Sequence, residues 1–341
     1  VKRPTIADIA HRAGVTKAAV SFALNGQPGV SAATRERILA IADEIGFQPS
    51  KAARALSGGR AGAFGLIIDR PARMLGVEPS FMRLISGIEA ELSSAHLALV
   101  LTLAEDQDAE TAMYRSWWAQ RQVDGVFVVD LQISDRRVAV LEELRMPAVV
   151  IGAPAGAGSL PAVWQDDAAA TRAVVEYLAA AGHRRIARVT GIPRLWHTKI
   201  RTDAFSDAAR AVGVDAVLRD GDYTGENGAA ATQRLLEDSH PPTAIFYDND
   251  LMAVSGLGVA QRIGVEVPAE LSIVAWDDSP LCEFVYPPLT ALSRDSAACG
   301  AHAARTLIRA AAGRAVGNHE EAVPVLTVRD STGAPAPVIT G

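Results

Sequence analysis

From about residue 62 onward the chain alternates short apolar runs with longer helical segments, and it does so twice. The runs "FGLII", "LALVLTL", "VDGVFVV" and "PAVVI" are apolar at nearly every position, as strands buried on both faces of a parallel sheet must be. Between them, "FMRLISGIEAELSSA" and "ETAMYRSWWAQR" have the length and spacing of crossover helices, the βαβ pattern. The alternation restarts with "DDAAATRAVVEYLAAAGH", "RRIARVT", "RTDAFSDAARAV", "TAIFY", "LMAVSGLGVAQRIG" and "LSIVAW". Two α/β, Rossmann-like lobes are therefore expected. A further strand "LTALS", a helix "SAACGAHAARTLIRAAAG" and a last strand "AVPVLTV" are enough to cross back between them. The cleft would collect the C-terminal ends of many strands, where open α/β sheets bind ligands.

The first 46 residues read differently, as a small all-α head. Thr5 can cap a helix with Asp8 completing a capping box, and Ile6, Ile9, Ala10 and Ala13 then fall on one face. Gly14 supplies a turn, and Thr16 can cap a second short helix. Successive residues rotate by about 100°, so Ala19, Val20, Ala23 and Leu24 face inward while Lys17, Ala18, Ser21 and Phe22 face out. Ser31 can cap a third helix whose stripe is Ile38, Ile41, Ala42 and Ile45, ending near Gly46. Helices this short need one another's apolar faces. Three packed so make a helix-turn-helix unit whose second helix can enter a DNA major groove, the alternative being a plain helical cap on a larger domain.

Charge supports the first reading. Residues 1–60 carry nine Lys and Arg against four acidic residues, while the whole chain has a net charge of −6, so the acid excess lies entirely in the body. A basic head is what phosphate neutralisation requires. No run has the length of a membrane span and no apolar signal region opens the sequence, so a cytoplasmic protein is expected. Two cysteines, Cys282 and Cys299, support neither a disulfide framework nor a cysteine zinc site, and the seven histidines show no metal-ligand spacing. No metal or cofactor is expected. Phosphate-binding, dinucleotide, nucleophile-elbow and zinc-protease motifs are all missing, which argues against an enzyme. The loops do offer Asp69, Asp166, Asp167, Lys199, Asn249, Asp250, Asp277 and Asp278, with Tyr223, Trp196 and Trp276 nearby. Carboxylates and amides beside aromatic faces suit a small polyhydroxylated ligand. Each has a rival reading: Asp166 and Asp167 as helix caps, Trp276 as core. Asp277 and Asp278, as extended neighbours, point opposite ways and make a poor acid–base pair. A sugar-processing α/β enzyme with a helical accessory domain stays as the alternative.

The segments "TIADIAHRAGVTKAAVSFALNG" and "VSAATRERILAIADEIGFQPSKAARAL", with "GHRRIARVTG", "AIFYDNDLMA", "LSIVAWDD" and "PPLTAL", resemble the lac repressor and galactose repressor family of bacterial transcription regulators. The resemblance implies a homodimeric repressor, each head reading half of a near-palindromic operator, with a periplasmic-binding-protein-like core closing on an allosteric effector. The chain then divides into a head (1–46), a hinge helix and linker (47–61), a core (62–331) and a tail (332–341). Within the core, residues 62–162 and 293–322 form lobe one, and 163–292 and 323–331 lobe two. Lys17, Ala18, Ser21 and Phe22 would face base edges and backbone; Thr5, Thr16 and Ser21 would touch phosphates, joined by Asn25, Ser31 and Arg35. Phe22 departs from the family, many of whose members have arginine there; a ring can meet a thymine methyl but cannot fork onto guanine. Ala53 and Leu56 would reach the minor groove, Leu56 as an apolar wedge. Asp69, Trp164, Lys199, Tyr223, Asn249 and Asp277 are the implied effector contacts. Lys199 stands where arginine is usual, which removes a planar fork of donors. The last residues have no heptads, so no tetramerising coiled coil is expected.

Overall fold

The computed structural model describes residues 4–47, 60–70, 76 and 78–336. The expected hinge residues Ala53 and Leu56 lie outside them. The chain divides into two compact units, residues 1–61 and 62–341.

The first unit is three helices, α1 (Ile6–Ala13), α2 (Lys17–Leu24) and α3 (Ala32–Glu44). Their starts are set by hydroxyls: Thr5, Thr16 and Ser31 accept from the backbone N–H groups of Asp8, Ala19 and Thr34. Thr5 and Asp8 form a complete capping box. Gly14 adopts a left-handed φ of 63° to end α1, a conformation that would strain a side chain. Ile9, Ala10, Ala13, Val20, Ala23, Ile38 and Ala42 close into one core. Replacing a buried member such as Ile38 by alanine would cost about 2–5 kcal/mol, a large share of what so small a unit can hold.

The second unit contains strands β1 (Ala63–Ile68), β2 (Ala98–Leu103), β3 (Val126–Val128), β4 (Ala148–Ile151), β5 (Ala162–Trp164) and β6 (Arg185–Val189). They are followed by β7 (Asp215–Arg219), β8 (Ala244–Tyr247), β9 (Ser272–Ala275), β10 (Thr290–Ser293), β11 (His319–Glu320) and β12 (Val325–Thr327). Its helices are α4 (Pro79–Ser94), α5 (Gln107–Ala119), α6 (Arg136–Leu144), α7 (Asp167–Ala180), α8 (Trp196–Val212), α9 (Gly225–Leu236), α10 (Asp250–Ile263), α11 (Pro280–Phe284) and α12 (Ser296–Ala311). Lobe one holds the sheet β11-β5-β4-β3-β1-β2, and lobe two the sheet β12-β10-β9-β8-β6-β7. All described pairings are parallel except β10 with β12. Alternate residues face opposite helical layers: Leu66 and Ile68 pack toward α4 and α12, whereas Ile67 packs toward Tyr114 and Trp117 of α5. Helices α4 and α12 touch backbone to backbone, because a Cβ at Gly87 or Gly300 would collide with the facing main chain.

Three connections cross between the lobes, from β5 to α7, β10 to α12 and β11 to β12. The chain stays attached past residue 332, the expected start of the tail. Ile273 N–H donates to Ser331 O at 2.9 Å, Gly333 N–H donates to Ser272 Oγ at 3.1 Å, and His183 Nε2 donates to Gly333 O at 3.0 Å. Cys282 and Cys299 are buried free thiols. Among the described residues, no helix is long and apolar enough to cross a membrane.

Candidate functional site

Each sheet reverses its order at one place, β1 between β2 and β3 in lobe one, β6 between β7 and β8 in lobe two. Strand ends diverge there and leave a crevice. The cavity between the lobes has a volume of about 190 Å³.

Its lobe-one wall begins where β1 ends. Arg70 donates to both oxygens of Asp130, Nε at 2.7 Å and Nη2 at 2.9 Å, and also meets Glu78. Its guanidinium lies 4.8 Å from the Phe81 ring and 5.7 Å from that of Tyr223, which belongs to lobe two. Burial alone would lower the Arg70 pKa, but Asp130 and Glu78 outweigh it and the net direction is upward. One cation shared by two acids serves them unequally. Burial raises both, yet the bidentate bond to Arg70 brings Asp130 down to about 2, whereas Glu78, buried and facing Asp130, is pushed up to about 7 despite Arg70.

The lobe-two wall is a second ionic set. Arg201 Nε donates to Asp167 at 2.8 Å and its Nη1 stands 3.7 Å from Asp248, with the guanidinium 3.6 Å over the Trp276 ring. Asp248 also accepts from Arg188 Nη2 at 2.5 Å and from Gly191 N–H at 2.7 Å. Asp277 accepts from Arg294 Nη2 at 2.7 Å. Tyr223 Oη pairs with His197 Nε2 at 2.6 Å, and a Cβ at Gly191 would collide with that phenol. Burial, reinforced by Arg201, brings His197 down to about 4, so the ring is neutral at pH 7. Asp250 differs from the rest. It is buried, its Oδ2 has no protein partner, and burial together with nearby Asp277 pushes it up to about 6.

Four of the six expected effector contacts line this cavity: Trp164, Tyr223, Asn249 and Asp277. Asn249 already caps α10, accepting from Met252 N–H at 2.9 Å, while its Nδ2 donates to Tyr223 O at 2.9 Å. Asp69 and Lys199 are not brought in. Lys199 is about half exposed and pairs with Asp203 at 2.7 Å; two residues along one helix is a rotation of about 200°, so Arg201 takes the inward place. Asp69 faces Arg194 at 3.6 Å, and the adjacent Arg70, pointing the other way off the strand end, enters the cleft instead. Asp166 caps α7 and Trp276 is core, while Asp278 turns away to Arg329. Sequence reasoning missed Arg70, Glu78, Asp130, Arg201, Asp248 and Arg294; the i+2 rotation on α8 is the signal that would have found Arg201. The Trp196 ring lies over Gly156 of lobe one, and the Trp196 backbone N–H donates to Leu131 O at 2.8 Å beside the Gln132–Leu195 bridge. These contacts bridge the two lobes at one side of the cleft.

In the first unit Lys17, Ala18 and Phe22 are exposed and Ser21 partly so, while Val20 and Ala23 are buried. Phe22 is 40% exposed, with one ring edge against Gly29. Thr16 uses its hydroxyl oxygen as a cap acceptor, which leaves the proton to donate. Thr5 instead gives its hydroxyl proton to Asp8, at 2.7 Å. Ser31 pairs with Thr34 at 2.8 Å, Asn25 Nδ2 donates to Ser21 Oγ at 3.4 Å, and Arg35 Nη2 donates to Gln27 O at 2.6 Å.

The profile of bacterial regulatory proteins of the lacI family matches residues 5–50, and that of periplasmic binding protein-like domains matches residues 175–332. The HTH-type transcriptional regulator CelR of Thermobifida fusca is 30% identical over 312 residues, covering 90% of this chain and 92% of CelR. The solved structure of a CelR–cellobiose complex has a TM-score of 0.73 at 28% identity, covering 96% of this chain and 100% of that one. The lac repressor dimer bound to operator and an anti-inducer has a TM-score of 0.84 at 25% identity, covering 98% and 100%. These relatives are regulators, and the enzyme alternative gives way to them. A helix-turn-helix head, a two-lobed α/β core and this extent of likeness together mean that the chain belongs to the lacI family of bacterial transcription regulators.

Proposed function

We propose that the protein is a homodimeric repressor of transcription whose affinity for a near-palindromic operator is set by a small, neutral, hydroxyl-rich effector, a sugar or sugar derivative, bound between the lobes. The observation that carries this reading is the charge state of the cleft. Arg70, Arg201 and Arg294 each already face carboxylates, and Asp250 stands buried with an unused acceptor oxygen. A wall with more acids than cations repels a phosphorylated ligand and welcomes hydroxyl donors, while Trp164 and Phe81 supply apolar faces for a ring. A volume near 190 Å³ lies below the roughly 300–1,000 Å³ of drug-sized sites, which favours a single ring over a longer oligosaccharide. Exposed Phe284, Tyr286, Met82 and Leu101 offer apolar surface to a second copy. Reading operator DNA places the protein with the chromosome, in the cytoplasm.

On the DNA side, Lys17 donates to guanine acceptors, Phe22 meets a thymine methyl, and Thr16 and Ser21 hold phosphates. The internal bonds of Thr5, Asn25, Ser31 and Arg35 give these residues the supporting task of fixing helix ends, with their remaining bonding capacity turned to backbone. Melting of the full chain against paired sugars, nucleosides and their phosphates tests the effector class. A neutral polyol that raises the melting temperature, with no rise for its phosphate ester, is the expected result; a rise for the phosphates alone would overturn the reading.

A further inference from the structure

Outside the cleft, one cluster of side chains has the composition of a metal centre. His302 lies on α12, the helix that begins just after the second lobe crossover, while His319 lies on β11 and Glu321 just past it, where the third crossover starts. The three are distant in sequence order from any recognisable ligand spacing, yet one ligand atom from each lies within 4.8 Å of the others. His302 Nδ1 meets Glu321 Oε1 directly. His319 Nε2 stands 3.6 Å from the same oxygen, outside hydrogen-bond reach, and the two imidazoles meet edge to face at 4.5 Å between centroids.

The geometry points to a three-ligand site for a divalent transition-metal ion of zinc's chemistry, formed by His302, His319 and Glu321, that ties the third crossover to α12. Two neutral imidazoles and a carboxylate are the donor set of open zinc sites, whose fourth position is left to water or another ligand. Ligand atoms around a tetrahedral zinc ion are about 3.4 Å apart at bond lengths near 2.0–2.1 Å. Contraction to that spacing needs only side-chain rotation, since His319 is about half exposed on an edge strand. Two imidazoles among three donors disfavour calcium and magnesium, which take oxygen ligands.

The position gives the site a consequence for the hinge. Glu321 N–H donates to Trp164 O at 2.8 Å, and His319 and Glu320 pair with Val163 and Trp164, so the ligand-bearing segment is bonded to the residue that lines the effector cavity at the first crossover. An ion held by these three side chains would pin the start of the third crossover to α12 and, through the Glu321–Trp164 bond, to the end of β5 where the first crossover leaves.

The test uses the full-length, tag-free, chelator-treated protein titrated with zinc(II), with bound metal counted after dialysis and cobalt(II) substituted to read coordination. The expected result is one zinc per chain, a cobalt d–d spectrum of four-coordinate type without a thiolate band, and at least tenfold weaker binding in His319→Ala and in Glu321→Gln. His319 is exposed, so its replacement leaves the fold in place, and an unchanged melting temperature without metal verifies that. No bound equivalent in the parent chain, or an equivalent retained at equal affinity in both variants, would overturn the proposal.

Discussion

The recognition helix and the cleft solve opposite problems with charged and polar side chains. On α2 the face proposed to read DNA is what remains after the core has taken its share: Val20 and Ala23 are buried, and Lys17, Ala18 and Phe22 are left in solvent. In the cleft, charges are taken out of water and held against one another, Arg70 with Asp130 and Arg201 with Asp167, before any ligand arrives. The first surface binds by what it can newly donate. The second would bind by what its internal pairs leave unused, which makes Asp250 and Glu78, the less stabilised of Arg70's two acids, its responsive groups. A change at the DNA face should therefore alter one contact, whereas a change in the cleft should disturb a network.

The largest effect separating the two regions is expected from Arg201→Ala. It leaves buried Asp167 and Asp248 short of a partner, and loss of one member of a buried ion pair costs about 3–5 kcal/mol; denaturant unfolding should show that loss, and the effector-induced rise in melting temperature should vanish. Next comes Lys17→Ala. It should change base preference at one operator position by about 1–3 kcal/mol, read by selection from random duplexes, while leaving stability and effector binding as they were. A uniform loss over all sequences would instead make Lys17 a phosphate contact.

Smaller still is a pH effect confined to the cleft. Glu78 is held near 7 in the folded chain against an ordinary 4.5, and Asp250 near 6 against 3.8, so between those values the native state binds protons that the unfolded chain has released. Each of these two groups lowers stability as pH rises from about 5 to 7, by at most about 1.4 kcal/mol per pH unit, while His197, held near 4 against an ordinary 6.5, raises it up to about pH 6.5. Glu78→Gln should therefore make the profile less falling, or more rising, than that of the parent chain across this window. Identical slopes in the variant and the parent would contradict the assignment. Asp130 acts in the reverse sense, adding stability above its ordinary 3.8 that is lost as pH falls toward 2. The smallest effect is expected from Lys199→Ala, which removes an exposed pair with Asp203 on one helix, about 0.3–0.5 kcal/mol, and leaves effector affinity unchanged within about twofold.

The same contrast explains what could be read from the sequence. The head is legible because its rules are local: Thr5, Gly14, Thr16 and Ser31 act within four residues, and the helical period sorts Val20 from Lys17. Strands apolar and buried at every position, such as β1 and β8, are legible for the same reason. Three others are not. β5 and its edge neighbour β11 have three and two residues, and the edge strand β7 (Asp215–Arg219) has an exposed, charged border, so no periodic signal marks them. The cleft fails differently. Which of two adjacent residues turns inward at a strand end or on a helix decides Arg70 over Asp69 and Arg201 over Lys199, and a one- or two-residue choice of this kind is fixed by tertiary partners such as Asp130 and Asp167. His302 and His319 meet only because α12 and β11 fold onto the same edge of lobe one.

The most direct test of the account is the operator affinity of the full-length protein, measured by anisotropy of a labelled duplex obtained by selection, with and without a ligand that raises the melting temperature. The account predicts a change in operator Kd of about 5–150-fold on ligand addition, corresponding to 1–3 kcal/mol of coupling, and its loss in Arg201→Ala with basal operator binding retained. Operator affinity that stays the same while that ligand saturates the parent protein would contradict it.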